Sequence, residues 1–381
     1  MSFQIDKRAF TSLSNFSSII YKNAVLNKEE FPKQEEIIDI SYNGKFVGKA
    51  LYDPKYPLIK LLTKKEEEVD YDFFKSRLLA AKNYRENILN YKNTYRMVYA
   101  EADSLPSLII DKYNNIASMQ VSSKIMDEYS DLIFECLFEN TDIETLYVQS
   151  GKKGSEVKTK IFGDKSQIET VIFEGNAKFM VNMKGHKTGF FLDQRENRID
   201  LENYVKKGDK VLDICSYTGG FSVHAGIRGA EVTAIDISEK ASIQAKENME
   251  LNDIKNYNFL TGNAFDLMKE MIKNNDVYDV VILDPPAFTD SSKDLKNALN
   301  AYNAMNYLGL KLAKRMLVTC SCSHHVDRES FKNTVVSSSI RAKKEIRQIG
   351  PYRTQAPDHV ITMANKDLEY LKCLFFNLVT Q

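Results

Sequence analysis

The chain has 381 residues, 43% hydrophobic and 27% charged, and its 52 Lys and Arg balance 52 Asp and Glu. That length exceeds what a single core usually holds, so two or three domains are expected, and the wealth of Tyr, Phe, Ile and Leu rules out extensive disorder. Neutrality removes the overall basic field that marks many nucleic-acid binders, so any such contact has to come from local patches.

The opening MSFQIDKRAF lacks the apolar core of a signal peptide, and no run approaches the ~20 apolar residues of a membrane span. Cys136, Cys215, Cys320, Cys322 and Cys373 are odd in number and form no repeating framework. A cytoplasmic protein with reduced thiols and no membrane partner is expected.

In chain order, EEIIDISYN and KFVGKALYD flank Asn43-Gly44, a strong hairpin dipeptide, and predict a small β-rich module over residues 1–70. The run Lys64-Lys65-Glu66-Glu67-Glu68 reads as a solvated loop or linker at its end. From Tyr71 onward, Phe74, Leu78, Leu79, Ile88 and Leu89 are spaced for one face of a helix. ADSLPSLIIDKYNNIASMQV then reads as two strands around an Asn114-Asn115 turn, and DEYSDLIFECLFEN as a helix, giving a central α+β domain over 71–175.

Within the last part, 176–381, the chain alternates strands and helices after Gly208: VLDIC and FSVHAGIR, EVTAID and EKASIQAKENMELN, NYNFLTG and AFDLMKEMIK, then YDVVILD, a loop and a long helix. Such alternation with nearly continuous apolar strands predicts an α/β domain, a parallel sheet with helices on both faces. Ligands bind such sheets outside the carboxyl ends of the strands.

The first strand carries Asp213 near its end, with Gly219-Gly220 in the turn that follows. This is neither G-x-G-x-x-G nor a P-loop, so a pyrophosphate ligand fits poorly, whereas a carboxylate suits a cationic amino-acid head group such as methionine's. Alone, the segment is equally an ordinary glycine turn with a capping acid. The second strand, however, ends in Asp236, placed to take both hydroxyls of an adenosine ribose, and the third ends with Asn263 and Asp266, suited to an adenine amino group. Three ordered polar strand ends point to S-adenosylmethionine as cofactor.

Strand four ends in Asp284-Pro285-Pro286-Ala287-Phe288, where two prolines stiffen the chain beyond an acid. Strand five is read from Met316 through Cys320 and Cys322 to His324-His325, with both thiols on one face at the mouth of the same crevice. A thiol and an acid there suit methylation at carbon 5 of a pyrimidine: a thiolate adds to carbon 6, and Asp284 hydrogen-bonds the ring at N3. Because an unperturbed thiol has a pKa of about 8.5, the site should supply positive potential, for which His324, His325 and a bound sulfonium are candidates. One thiol can be core while the other reacts, and the Ser-Cys-Ser setting favours Cys322 as nucleophile. Cys-x-Cys-x-His-His lacks a second ligand cluster, so no metal is expected. His186, His224 and His359 read as packing or RNA-facing groups.

These residues resemble the bacterial class I methyltransferases that make 5-methylcytosine in large-subunit ribosomal RNA, built as a PUA domain, an α/β linker domain and a Rossmann-like catalytic domain. The resemblance rests on GHKTGFFLDQRENR at 185–198, VLDICSYTGGFSVHA at 211–225, Asp236, GNAFD at 262–266, DPPAF at 284–288, VTCSCSHHVDRESF at 318–331 and QAPDHV at 355–360. It implies a PUA-like RNA-binding domain ahead of the central domain, and a cofactor pocket at Asp213, Gly219, Asp236 and Asn263 with Gln194 close by. It also implies Cys322 as nucleophile with Asp284 as its partner, and 23S ribosomal RNA as substrate, with homodimerisation open. The chain departs from the family in having Asn263 for the usual Asp, Lys314-Arg315 for a Pro-Gly-Gly turn before strand five, and no Trp in its opening. The group that removes the carbon-5 proton stays open.

Two rival readings remain: a methyltransferase acting on an exocyclic amine, which needs no thiol, and a noncatalytic RNA-binding protein that keeps the fold. RNA is expected over 152–158 and the basic residues Lys184, Lys187 and Arg195, for which a solvated loop is the plain alternative.

Overall fold

The structure is a computed structural model that describes residues 2–151, 157–184, 189–289, 291–365 and 368–379, apart from the side chain of Ser292. It divides into two compact units, Met1–Ile172 with Val181–Phe190 and Pro357–Leu368, and Phe173–Met180 with Phe191–Ala356 and Glu369–Gln381.

The first unit opens with β1 (Ser2–Gln4), α1 (Lys7–Ser14), β2 (Ile19–Tyr21), β3 (Glu36–Tyr42), β4 (Lys45–Tyr52) and β5 (Leu58–Thr63), whose strands pair in the order β1-β3-β4-β5-β2. Asn43 and Gly44 both take positive φ, 50° and 74°, as the tight turn between β3 and β4 requires. Phe3, Ile5, Leu13, Ile20, Ile40 and Ile59 fill the core beneath. Lys64–Glu68 is more than a solvated linker. Lys64 donates to the Leu13 carbonyl, and Glu67 accepts from Thr63 Oγ1 at 2.6 Å and Arg77 Nη2 at 2.7 Å, which ties the run to its neighbours.

A second core in the same unit lies under α2 (Tyr71–Asn83), β6 (Thr94–Tyr99), β7 (Leu108–Tyr113), β8 (Ile116–Val121), α3 (Lys124–Glu128), α4 (Ser130–Asn140), β9 (Thr145–Ser150) and β10 (Lys158–Gly163). Asp70 caps α2 by accepting from Phe73 N. The sheet order is β10-β9-β8-β7-β6, and β8 with β9 is its parallel pair, joined through α3 and α4. β11 (Glu169–Glu174) and β12 (Ala177–Asn182) form a two-stranded sheet.

The second unit contains α5 (Arg195–Leu201), β13 (Lys210–Ile214), α6 (Gly220–Ile227), β14 (Glu231–Asp236), α7 (Glu239–Leu251), β15 (Tyr257–Thr261), α8 (Ala264–Lys273), β16 (Tyr278–Leu283), α9 (Leu295–Leu312), β17 (Ala313–Ser321), α10 (Arg328–Ala342), β18 (Ile346–Gln348) and β19 (Lys372–Leu378). Its seven strands run β15-β14-β13-β16-β17-β19-β18, parallel from β15 to β17, with β19 antiparallel to β17 and to β18. The order reverses between β13 and β16, which opens a crevice at their carboxyl ends. No helix among the described residues is long and apolar enough to cross a membrane.

Two boundaries differ from the sequence reading. β17 follows α9 directly, so Lys314 and Arg315 lie inside the strand and no turn separates them from the helix. Arg315 donates to the Tyr204 carbonyl at 3.1 Å and pairs with Asp209, which anchors the start of the strand without a glycine turn. β17 also stops at Ser321, so Cys322, Ser323, His324 and His325 lie beyond it.

Beneath the carboxyl end of β13, Arg198 is almost fully buried and holds Glu174 through two hydrogen bonds, of 2.6 and 2.8 Å. His224 lies against the same carboxylate at 3.0 Å and against Glu202 at 2.6 Å. Burial alone would raise Glu174, but Arg198 and His224 hold it well below the carboxylate range. For His224, burial would lower the pKa, and the two glutamates reverse this and raise it. The signs are opposite: stability from Glu174 is present at neutral pH and fades as acid protonates it, whereas that from His224 is full in mild acid and fades as pH rises through its raised value. Glu174→Gln leaves a buried guanidinium half-paired and is expected to cost about 3–5 kcal/mol in urea denaturation at neutral pH. A loss below about 1 kcal/mol would mean that Arg198 finds another partner.

Candidate functional site

The site is built at the carboxyl ends of β14, β13, β16 and β17, where successive strand-to-helix connections leave backbone amides and side chains facing one crevice. Its floor is the connection from β13 to α6. Cys215 and Tyr217 take positive φ there, 62° and 49°, and Gly219 has φ 80°. Two non-glycine residues in left-handed conformation within three positions mark a chain held tightly to a required path. A Cβ on Gly219 would lie 3.2 Å from the Ala245 Cβ, and one on Gly220 would lie 2.8 Å from Arg198 Cδ, so the turn packs closely on both sides.

Asp213 is fully buried, and its Oδ2 accepts from Ser222 Oγ at 2.7 Å. Its Oδ1 has no hydrogen-bond partner among the described residues, nor have Ser216 Oγ and Thr218 Oγ1 in the same turn. Orphaned buried oxygens of this kind are costly unless something else supplies the donor. Burial, aided by the nearby Asp236 charge, pushes the Asp213 carboxyl up to about 6 against the pull of Ser222. Asp236 ends β14 and accepts from two backbone amides, Tyr217 N at Oδ2 and Ser238 N at Oδ1, both at 2.8 Å.

Asn263 is exposed and caps α8, its Oδ1 accepting from Phe265 N at 3.0 Å and Asp266 N at 3.4 Å. A carboxylate would cap equally well, so the change from Asp to Asn keeps the local fold and removes one charge. Asp266 is exposed too and pairs with Lys269.

Asp284 follows β16 directly, and Gln194 Nε2 donates to its Oδ1 at 2.9 Å. Gln194 is itself fixed, because its Oε1 accepts from Asn197 Nδ2 at 2.6 Å. Burial first, then the charges of Asp193 and Asp213, push the Asp284 carboxyl up to about 7. Cys322 is half-buried, with Sγ 3.8 Å from the Pro285 carbonyl, one residue from Asp284 in sequence. Cys320 differs: it is fully buried, its sulfur lies 3.1 Å from that of Cys373 across the β17–β19 pair, and burial raises its pKa well above the thiol range.

The structure therefore brings Asp213, Gly219, Asp236, Asp284, Gln194 and Cys322 to one end of one sheet, with Asn263 at the outer rim. Three groups were not found from sequence. Asp193 is buried and accepts from Tyr370 Oη at 2.7 Å; Arg198 lies under the glycine turn; Lys372 is buried at the start of β19. For Lys372 a signal existed: a lone charge opening the apolar run KCLFFNL, in a residue type seldom buried without a purpose. Of the basic residues assigned to RNA, Lys158 and Lys184 are exposed, but Arg195 is 5% exposed, and its burial withdraws it from a surface contact. Residues 152–156, His186 and Lys187 lie outside the described residues. His224 and His359 are buried, His224 between two glutamates and His359 against Asp358.

Comparison with known proteins is consistent with this geometry. A methyltransferase-domain family matches residues 205–367. A candidate ribosomal RNA large subunit methyltransferase of Methanocaldococcus jannaschii is 60% identical over 379 residues, 99% of this chain and 98% of its own. Ribosomal RNA large subunit methyltransferase I of Aeromonas hydrophila is 36% identical over 325 residues, 81% of each chain. Among solved structures, a candidate S-adenosylmethionine-dependent methyltransferase from Streptococcus mutans superposes with TM-score 0.84 over 99% of this chain and 100% of its own, at 20% identity, a likeness of fold.

Because the folded-state pKa of Asp284 lies above its unfolded value of about 3.9, charging it costs stability as pH rises from there through about 7. Asp284→Asn keeps the acceptor for Gln194 and removes the charge. It is expected to raise thermal stability above neutral pH, by on the order of 1 kcal/mol since the side chain keeps some solvent contact, and to leave stability in acid unchanged. Equal gains at both pH values would show that charge is not the cause.

Proposed function

This chain belongs to the family of ribosomal RNA large subunit methyltransferases, and from that premise we propose that it methylates carbon 5 of a cytosine in large-subunit ribosomal RNA, 23S in the bacterial case, through a covalent adduct on Cys322. What supports the reading is the accessibility of one thiol at the crevice mouth: Cys322, half-buried just past β17, has its Sγ at the carbonyl of Pro285, the residue after Asp284, while Cys320, although Asp284 and Gln194 bear on it, is fully buried against Cys373.

The turn and its acids fit S-adenosylmethionine. The unpartnered Asp213 Oδ1, with Ser216 Oγ and Thr218 Oγ1, suits the cationic amino-acid end, and the close-packed Gly219 leaves backbone within reach of it. Asp236, held by two backbone amides, presents its carboxylate to the ribose hydroxyls, and Asn263 lines the adenine side. When bound, the cofactor supplies an electrophilic methyl group on a sulfonium.

The chain's own residues do the rest. A cytosine leaves its stack and enters the crevice. The Cys322 thiolate adds to carbon 6, which turns carbon 5 into a nucleophile. A carboxyl with pKa near neutrality can give a proton to N3 as negative charge develops on the ring, and Gln194 holds Asp284 in place for this. Once carbon 5 carries the methyl group, loss of its proton restores the double bond and expels the thiolate. RNA is held by a PUA-like domain over 1–70 and a central domain over 71–175, with Lys158 and Lys184 among the exposed basic residues.

RNA carrying 5-fluorocytosine has no carbon-5 proton to lose, so a stable adduct is expected with the unaltered protein and none with Cys322→Ala. Cys322→Ala should abolish turnover with cofactor affinity unchanged, and Cys320→Ala should cost stability only. Normal turnover in both variants would transfer the reading to an exocyclic amine acceptor. Separately, Asp236→Ala is expected to weaken S-adenosylmethionine binding by on the order of ten- to a hundredfold in calorimetry, from charge-assisted hydrogen bonds worth about 1.5–3 kcal/mol each. Unchanged affinity in the folded variant would remove Asp236 from the site.

A further inference from the structure

Lys372 begins β19 opposite Ser321, the last residue of β17, and is 3% exposed. A lysine is rarely enclosed to this degree, because removing an ammonium from water is costly unless its hydrogens are used. Two of them are: Nζ donates to the Ser323 carbonyl at 2.6 Å and to the Tyr370 carbonyl at 2.7 Å. The third meets no other acceptor among the described residues. Ser323 is the residue after Cys322, so the ammonium is fastened to the backbone that carries the thiol.

The surrounding charges are few and can be named. Lys372 faces Cys322, Glu369 and Asp327, with Cys322 the strongest of the three influences. Cys322 in turn bears on the Tyr302 hydroxyl, which hydrogen-bonds Ser323 Oγ at 2.9 Å. His324 stacks on Tyr370 at 5.1 Å, and Tyr370 is fixed by Asp193. Burial pulls the Lys372 pKa down to about 8, which still leaves it mostly protonated at neutral pH. The two carbonyls cannot balance a full positive charge; Glu369 is paired with Arg328 and Asp327 caps α10 by accepting from Ser330, so the counter-charge left to Lys372 is a Cys322 thiolate.

We propose that Lys372 is the positioning residue that stabilises Cys322 as a thiolate, by placing a buried ammonium on the carbonyl of the following residue. The inference rests on Cys322 being the nucleophile. The thiol proton leaves to water and Lys372 keeps its own protons, so an ammonium beside a neutral thiol, +1 in all, becomes an ammonium–thiolate pair with no net charge. Of the candidate sources of positive potential at this thiol, Lys372 is the one that is buried and geometrically fixed to its backbone.

The test is the pH dependence of Cys322 alkylation by iodoacetamide in the full chain without RNA, followed by mass spectrometry of the Cys322 peptide. In the unaltered protein the midpoint is expected below the ordinary thiol value of about 8.5. Lys372→Met should slow alkylation at neutral pH about tenfold and raise the midpoint accordingly, and Lys372→Arg should restore most of the rate, because it returns the charge. A lysine that only braced the strand would change stability and leave the midpoint alone. An unchanged midpoint in folded Lys372→Met overturns the proposal. So does an ordinary midpoint in the unaltered protein, a measurement that needs no variant to fold. Alkylation reports on the ion pair alone and adduct formation with 5-fluorocytosine RNA on the nucleophile, so either reading can fail without the other.

Discussion

The side chain of Arg198 touches three parts of the second unit at once. Its guanidinium grips Glu174 on β11, donates to the Phe191 carbonyl at 2.7 Å, and lies against Gly220 where α6 begins. A charge so enclosed tolerates little movement, since any shift would leave it unpaired in a low-dielectric surrounding. The β13–α6 turn is thereby pressed from below while Ala245 of α7 limits it from above. Glycine is needed at Gly220 because the guanidinium occupies the volume a side chain would take.

The same positive charge moderates the acids above it. Arg198 pulls both Asp213 and Asp284 down, yet burial, together with Asp236 for the first and Asp193 and Asp213 for the second, still leaves them raised to about 6 and about 7. These carboxyls come from neighbouring strands, β13 and β16, at the point where strand order reverses. Their closeness is a consequence of topology, and their raised pKa values come first from burial and then from neighbouring carboxylates. Gln194 ties Asp284 to the short helical turn Leu192–Gln194, just ahead of the α5 helix that carries Arg198, so acid, glycine turn and guanidinium behave as one assembly.

A comparable economy governs the thiols. Cys320 and Cys322 are two residues apart, yet β17 ends between them. Cys320 still pairs across the sheet with Cys373 and is sealed, whereas Cys322 has left the ladder and reaches the crevice. Strand alternation alone assigns both to one face and cannot say which is covered. The antiparallel partner decides, because β19 supplies the sulfur that closes over one thiol and, one residue earlier, the ammonium of Lys372 on the carbonyl of the residue that follows the other.

The amino-acid sequence by itself determined what short-range periodicity can encode. The β3–β4 hairpin around Asn43-Gly44, the helix from Tyr71, the strand that carries Asp213 near its end, and the strands ending at Asp236 and Leu283 follow from apolar spacing and turn residues, and the structure contains each. The order of polar strand ends, which points to the crevice, was legible for the same reason. Tertiary structure alone decided where β17 begins and ends, that Lys64 and Glu67 are tied down, that Arg195 is buried, and that Asn263 spends its carbonyl on a helix cap. It alone brought Arg198 under Gly220 and Lys372 to the carbonyl of Ser323, next to Cys322 in the chain, across stretches that carry no shared pattern. The physical reason is that periodicity records which face of an element is dry, whereas the pairing of a buried charge is set by which distant strand or helix fills the remaining space.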